Sequence, residues 1–154
     1  RRGLHAAILA QEALDRLAPL LGADTRPWTA SVALPGGDVP DGDFTAFEQR
    51  LAQRHPWLPP ALRHRYARAY GTLCEQILAG TTCLADLGPQ VVPGLHVREL
   101  DYLYRHEWAR TAEDVLWRRT KLGLHAEPDA GRIVQAWIDA HLETVAPLEA
   151  SAVE

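Results

Sequence analysis

The sequence predicts an all-α fold, a compact bundle of about six or seven helices preceded by a Pro/Gly-rich extended segment. Apolar residues recur at intervals of three and four along much of the chain, which is the spacing of one helix face. Capping residues, prolines and glycines stand at the ends of these runs, where helices start and stop. The chain has 154 residues, of which 47% are hydrophobic and 23% charged. This length and composition favour a globular domain with a single core.

Net charge and cysteine content exclude several classes of protein. The net charge of −4 provides no basic field for nucleic acid. Cys74 and Cys83 form no CxxC unit and lack further ligands at zinc spacing, so we expect two buried thiols in a reducing compartment. The apolar run after Arg1 and Arg2 is broken from Gln11 onward, too early for a signal peptide or a membrane span. We therefore expect a protein that is soluble or at most peripheral to a membrane.

Three segments divide the chain. Residues 1–21 are predicted to form an N-terminal helix, whose apolar spacing begins near residue 4 and ends at Pro19. Residues 22–42 are a connecting segment in which proline and glycine prevent regular structure. Residues 43–154 are predicted to be the C-terminal helical domain. Apolar side chains in the connecting segment suggest that it is held against a surface: Trp28, Val32 and Leu34.

The C-terminal domain begins with two predicted helices. Asp43 is a suitable N-cap for a helix over residues 44–54, which must end before Pro56. Pro60 then stands in a first helical turn, where proline is tolerated, and this helix runs to Gly71.

A short helix and an irregular stretch follow. Thr72 and Glu75 have the spacing of a capping box for a helix that ends at Gly80. The stretch "LGPQVVPGLH" is expected to be irregular or briefly extended. Four apolar residues then mark one face of the next helix: Val97, Leu100, Tyr104 and Trp108.

The stretch "HEWARTAEDVLWRRTKLGLH", residues 106–125, predicts a capped helix with a charge gradient. Thr111 is its expected N-cap, and Asp114 lies in the first turn, where the helix dipole favours negative charge. Arg118 follows Asp114 by four residues in the stabilising order, and Gly123 is the expected stop. Pro128 opens the last helix, whose predicted inner stripe is Ile133, Val134, Trp137, Ile138, His141 and Val145.

The sequence presents no catalytic, cofactor-binding or metal-binding constellation. His106 and Glu107 begin like a zinc-protease motif, but Arg110 replaces the second histidine. No serine stands in a GxSxG motif, and neither cysteine has an encoded partner. Gly36 and Gly37 lack the strand, the spacing and the following helix of a dinucleotide fold.

Two basic clusters remain as candidates for binding. The first is formed by Arg63, Arg65 and Arg68, which share a predicted helix with Tyr66. The second contains the candidate docking or inter-domain pairing residues Trp117, Arg118, Arg119 and Lys121. Arg119 points toward the apolar side of its helix, so it must be paired or lie at an interface. The simpler interpretation is a solvated helix with internal ion pairs. The alternative is docking of a partner domain, an anionic lipid headgroup or a phosphate.

The stretch "LDYLYRHEWARTAEDVLWRRTKLGLH" closely resembles the C-terminal domain of bacterial FAD-dependent, respiratory glycerol-3-phosphate dehydrogenase. The resemblance extends upstream through "RHRYARAYGT" and "WTASVALPGGD", and weakly to "AQEALDRL". It implies an enzyme that oxidises sn-glycerol 3-phosphate to dihydroxyacetone phosphate, with FAD as hydride acceptor and quinone as electron acceptor. It also implies a cytoplasmic enzyme, peripheral on the inner membrane and commonly dimeric.

The family's flavin fold, substrate-binding arginines and catalytic base lie N-terminal to this region, so the resemblance implies that this fragment is inactive and holds no cofactor. Its expected partner is the flavin domain of the same chain. Where the family carries a GGKLTTYR-like segment, this sequence reads "RRGLHAAI". Residues 1–21 are therefore expected to be the tail of the flavin domain or a start unrelated to it.

Two other functions stay open at this point. One is a related glycerophosphate oxidase that passes electrons to oxygen, because nothing in this domain identifies the acceptor. The other is a free-standing helical module that binds a protein or an anionic surface through Arg118, Arg119 and Lys121.

Overall fold

The computed structural model of the chain describes residues 2–22 and 31–142, and within them the side chains of residues 8–22 and 31–141. Over these residues the fold is mainly helical with one two-stranded sheet, which confirms the predicted all-α class. Trp28 and Val145, whose roles we predicted above, lie outside the described residues.

The chain divides into two compact units, Arg1–Leu34 and Pro35–Glu154. The first unit contains helix α1, Arg2–Leu21, which continues past Pro19, where we expected it to end. A proline disturbs the turn before it but leaves the later N–H groups free to bond, so the last turn still forms. Gly22, with φ of 63°, follows the helix in the left-handed conformation that favours glycine.

The second unit opens with two helices whose bounds confirm the prediction. Helix α2 is Phe44–Arg54, and the Asp43 carboxylate accepts a hydrogen bond from the Ala46 N–H at 3.0 Å. Helix α3 is Pro60–Tyr70, with proline at its first position. Their apolar faces supply six buried side chains: Phe47, Leu51, Leu62, Tyr66, Ala67 and Tyr70. Leu58, between the two helices, is buried as well.

A contact between two glycines holds the connecting segment. A Cβ on Gly71 would lie 1.9 Å from the Gly36 carbonyl oxygen, and Gly71 has φ of 55°. The same Gly36 carbonyl accepts a hydrogen bond from the Thr72 N–H at 3.1 Å. Val32 and Leu34 belong to the first unit, where they are 54% and 81% exposed, and their role in holding the segment stays a prediction. The attachment is made by backbone, which apolar patterning does not report.

The predicted capping box of Thr72 and Glu75 is wrong. A 3₁₀ turn, Gly71–Leu73, leads into helix α4, Cys74–Leu78. The Thr72 hydroxyl donates to the Asp38 carboxylate, and Glu75 accepts from Arg54 at 2.8 Å. Both side chains therefore have partners distant in sequence, which outweigh the local motif.

A hairpin links α4 to helix α5. Strands β1, Gln90–Val92, and β2, Leu95–His96, pair antiparallel, which confirms the expected brief extended stretch. Helix α5 is Val97–His106, and it ends before Trp108, which was wrongly placed on its face. The buried side chains of α5 are Glu99, Leu100, Tyr102 and Leu103.

Further along, a π helix, Asp114–Arg119, precedes helix α6, Ala130–Leu142. Val134 and Ile138 of the predicted α6 stripe are buried, whereas His141 is exposed. The remaining 3₁₀ turns are Pro40–Gly42, Leu84–Leu87 and Leu122–Leu124.

The core of the second unit is built from every helix after α1, and it also receives Val92 and Leu95 from the hairpin. Cys74 belongs to this core, but Cys83 is exposed, so the prediction of two buried thiols is wrong for Cys83. No helix in the described ranges 2–22 and 31–142 is long and apolar enough to cross a membrane.

Candidate functional site

The start of the stretch 106–125 is held by a reciprocal cap. The Asp114 N–H donates to the Thr111 hydroxyl oxygen at 3.2 Å, and the Asp114 carboxylate accepts from the Thr111 N–H at 3.0 Å. That carboxylate also accepts from the Arg110 N–H at 3.1 Å. The bonds from Arg110 and Thr111 lower the pKa of Asp114 because they stabilise its charged form. Residues 112 and 113 are already helical and continue into the π helix, so Thr111 caps this helical run, as predicted.

The helix that follows is a π helix, Asp114–Arg119. It ends before Gly123, the residue that we predicted as its stop. The Thr120 N–H donates to the Val115 carbonyl at 3.0 Å, five residues back, and the Thr120 hydroxyl donates to the same oxygen at 2.7 Å. Lys121, with φ of 61°, makes the left-handed turn that we assigned to glycine. A Cβ on Gly123 would lie 2.6 Å from the Trp117 ring, so Gly123 gives room for the indole.

The candidate docking residues all have partners inside the chain. Arg118 pairs with Asp114 at 3.0 Å and Glu113 at 3.2 Å, and the first of these is the predicted i,i+4 pair. Arg119 pairs with Glu107 at 2.8 Å, and the Lys121 ammonium donates to the Trp117 carbonyl. Trp117 itself is 48% exposed. Carboxylates therefore neutralise Arg118 and Arg119, whereas Lys121 keeps its charge and is bound to a carbonyl.

A buried ion pair joins α3 to α5, and sequence reasoning missed it. The Arg65 guanidinium donates through both terminal nitrogens to the two oxygens of the Glu99 carboxylate, each at 2.6 Å. One of these nitrogens also donates to the Gly94 carbonyl at 2.5 Å, and the Tyr70 hydroxyl donates to Glu99 at 2.5 Å. Glu99 is fully buried. The carboxylate thus has three donors, which offset the loss of its hydration.

The electrostatics of this cluster follow from burial and from the Glu99 charge. Burial lowers the pKa of Arg65, but the hydrogen bond and charge of Glu99 outweigh it, so the pKa is raised. Burial, followed by the charge of Glu99, raises the pKa of both Tyr66 and Tyr70. An arginine next to the buried face of a helix is expected to have a partner, and Arg65 occupies such a position in α3. The partner is 34 residues away, and helical spacing could not identify it.

A cleft of about 470 Å³ lies between α5 and α6. One wall is aromatic, since the Trp137 and His141 rings stack with centroids 4.1 Å apart. The charged side chains have internal partners: Asp101 pairs with Arg105 at 2.7 Å, and Arg98 donates to the Ile77 carbonyl at 2.5 Å. In the described part of the chain, no group of three or more His, Cys, Asp or Glu is placed to hold a metal ion.

The fold and these clusters define a helical domain whose polar groups mainly stabilise its own packing. Comparison with known proteins shows to which family this domain belongs. The family described as the C-terminal domain of alpha-glycerophosphate oxidase matches residues 27–145. The chain belongs to this family, which confirms the resemblance carried by residues 100–125.

Three similar proteins are dehydrogenases of polyol phosphates by name. Glycerol-3-phosphate dehydrogenase of Pseudomonas aeruginosa is 46% identical over 120 residues, which cover 78% of this chain and 23% of the relative. D-erythritol 1-phosphate dehydrogenase of Brucella abortus is 38% identical over 90% of this chain and 26% of its own length. Aerobic glycerol-3-phosphate dehydrogenase of Escherichia coli is 38% identical over 84% of this chain and 26% of its own length. The chain thus spans about a quarter of the relatives that it matches.

Proposed function

We propose that this chain is the C-terminal helical domain of an FAD-dependent dehydrogenase that oxidises sn-glycerol 3-phosphate to dihydroxyacetone phosphate and passes the electrons to quinone. The observation that supports this most is the 46% identity to a glycerol-3-phosphate dehydrogenase over 78% of the chain. In the full-length enzyme the domain supports the flavin domain, and the enzyme is cytoplasmic, peripheral on the inner membrane and a homodimer.

Gly36 of the "LPGGD" turn has a structural role in this chain. Its carbonyl accepts a hydrogen bond from the Thr72 N–H, and it packs against Gly71, so this glycine serves a backbone contact within the fold. FAD would bind to the larger part of the full-length enzyme, and this chain would contribute no reacting group.

Internal pairing supports a packing role for the basic end of the stretch 106–125. Arg118 and Arg119 already have carboxylate partners within 3.2 Å, so an anionic lipid headgroup would have to compete with them. Trp117 and Lys121 remain candidates for inter-domain contact, because half of the Trp117 surface is exposed.

The test compares the full-length enzyme with a version that ends before Pro40. Glycerol-3-phosphate-dependent reduction is followed with a soluble dye and, separately, with quinone in membranes, and bound FAD is quantified. Loss of both activities together with bound FAD supports a role in stabilising the flavin domain. Loss of quinone reduction alone would replace this role with acceptor or membrane docking. Absence of dye reduction in the intact enzyme would contradict the proposed reaction.

A second candidate is a glycerophosphate oxidase, because the matching family is described by that enzyme. It would pass electrons to oxygen and release hydrogen peroxide. A peroxide assay on the full-length protein distinguishes the two, since the dehydrogenase should form little peroxide while it reduces quinone.

A further inference from the structure

Trp108 occupies a backbone position that suits glycine. Helix α5 ends at His106, and the N–H of its C-cap, Glu107, donates to the Leu103 carbonyl at 3.1 Å. The Ala109 N–H donates to the same oxygen at 3.1 Å. Trp108 lies between these two donors with φ of 57°. The residue after a helix C-cap is often left-handed, and glycine is preferred there because a Cβ is strained in that conformation.

The Trp108 side chain gains little within its own domain, because it is 81% exposed. The backbone around it is nevertheless firmly held. Glu107 pairs with Arg119 at 2.8 Å, and Ala109 is buried. Arg110 donates to the Tyr104 carbonyl at 3.1 Å, and its guanidinium lies 4.1 Å from the centre of the Tyr104 ring. A fixed loop therefore presents the largest side chain to the outside at a strained position.

Such a position costs the isolated domain stability that the exposed indole does not offset. Strained residues persist where the surrounding structure fixes them, and they concentrate at functional sites. Tryptophan is also enriched among the few residues that carry most of the binding energy at interfaces.

We propose that Trp108 is the central anchor through which this domain docks onto the rest of the full-length polypeptide. This inference rests on the proposed function, in which a larger flavin domain belongs to the same chain. The chain spans 23–26% of three named relatives, so most of such an enzyme lies outside it and must meet its surface. The docking partner would provide an apolar pocket with one oxygen to accept the indole N–H.

The charges near Trp108 argue against an anionic membrane as the partner. Arg119 is paired with Glu107, and Arg105 is paired with Asp101. A membrane-binding surface would combine its aromatic anchor with basic side chains that are free to meet lipid phosphates. Arg110 donates to the Tyr104 carbonyl and lies over the Tyr104 ring, so it too is bound within the domain. An exposed indole next to arginines that have partners of their own suits a protein interface better.

The test uses the full-length enzyme with Trp108→Gly, which removes the indole and places glycine at the left-handed position. Release of the helical domain by limited proteolysis before residue 35 is measured, together with the number of calorimetric transitions. We expect release to be faster by roughly tenfold. If the wild-type enzyme unfolds in one joint transition, we expect the variant to unfold in two. The midpoint temperature at which the helical domain unfolds should not fall, because the substitution relieves backbone strain.

Two variants control the interpretation. Asp41→Gly makes the same backbone change at an exposed residue with φ of 58°, and it should leave the release rate and the transitions unchanged. Trp108→Phe retains an aromatic anchor and should restore most of the slow release.

Three results would overturn the proposal. The first is an unchanged release rate and transition pattern in Trp108→Gly. The second is a shift from dimer to monomer with unchanged release, which would assign Trp108 to a contact with a second copy. The third is loss of binding to anionic phospholipid vesicles with unchanged release, which would assign it to the membrane. Failure of the wild-type enzyme to oxidise glycerol 3-phosphate would instead contradict the proposed function.

Discussion

Glu99 shows how one buried residue can depend on its partners. Its carboxylate is fully buried and is stabilised by Arg65 and Tyr70. Exchanging a buried charge for a neutral group leaves the opposite charge without a partner in a medium of low dielectric constant.

Glu99→Gln should therefore lower the free energy of unfolding by about 3–5 kcal/mol. Urea denaturation of the chain would measure this. Asp101→Asn removes one partner of the exposed pair with Arg105 and should cost less than about 1 kcal/mol. Equal effects of the two variants would mean that the buried cluster is not an important source of stability.

The two cysteines differ in their surroundings. Cys74 is fully buried, and burial raises the pKa of its thiol to about 12, so almost no reactive thiolate forms near neutral pH. Cys83 is exposed.

One thiol of the native chain should therefore react with an aromatic disulfide reagent at about pH 8, and both should react after unfolding. Cys83→Ser should abolish the native reaction. Reaction of two thiols in the native chain would show that Cys74 is accessible.

At the scale of elements, the cap of the π helix depends on charge. The pKa of Asp114 is lower in the folded chain than in the unfolded chain, because the N–H of Arg110 and the Thr111 groups bind its charged form. This stabilisation is present above the unfolded pKa of about 3.9 and is lost as the pH falls through the folded pKa.

Asp114→Asn should therefore lower the unfolding free energy at neutral pH, and the difference from wild type should shrink below about pH 4. Denaturant titrations at several pH values would measure it. A difference that stays constant down to about pH 2 would show that the charge of Asp114 is not the cause.

The contact of Gly36 with Gly71 fixes the connecting segment on the end of α3. Gly71→Ala would place a methyl group 1.9 Å from a backbone oxygen at a positive φ, so neither side can yield easily. We expect a loss of about 2–5 kcal/mol in thermal or chemical unfolding.

Gly80→Ala is the matched control, because Gly80 has φ of 71° but open space around its Cα. This substitution should lower the free energy of unfolding only by the backbone strain of a positive φ, about 1–2 kcal/mol. If both substitutions cost the same, the close approach of the two glycines contributes nothing.

At the scale of the whole molecule, the hydrophobic core cluster lies entirely within the second unit, between Phe47 and Ile138. Burial of apolar surface is the main source of folding free energy. We therefore expect a chain that begins at Pro35 to fold without the first unit.

Removal of residues 1–34 should leave the cooperative unfolding transition in place, with a midpoint near that of the whole chain. Circular dichroism during thermal unfolding would show this. A loss of cooperativity would mean that the first unit completes the core.

Local signals predicted most elements of the second unit but not its long-range partners. The N-caps Asp43 and Thr111 and the first-turn proline Pro60 act within four residues, so their patterns are visible in the sequence. Thr72 and Glu75 satisfied a local motif equally well, yet each bonds to a residue at least 20 positions away. Which partner prevails depends on which surfaces the fold brings together.

The sequence by itself determined the helical class, the bounds of α2 and α3, and the family, because periodicity, caps and a specific segment are local properties. Only the tertiary structure decided that Glu99 neutralises Arg65, that Gly36 meets Gly71, and that Gly123 accommodates Trp117. It also revealed that Trp108 leaves the helix and points into solvent. The physical reason is that burial, steric contact and ion pairing depend on distances in space, which residue spacing along the chain does not specify.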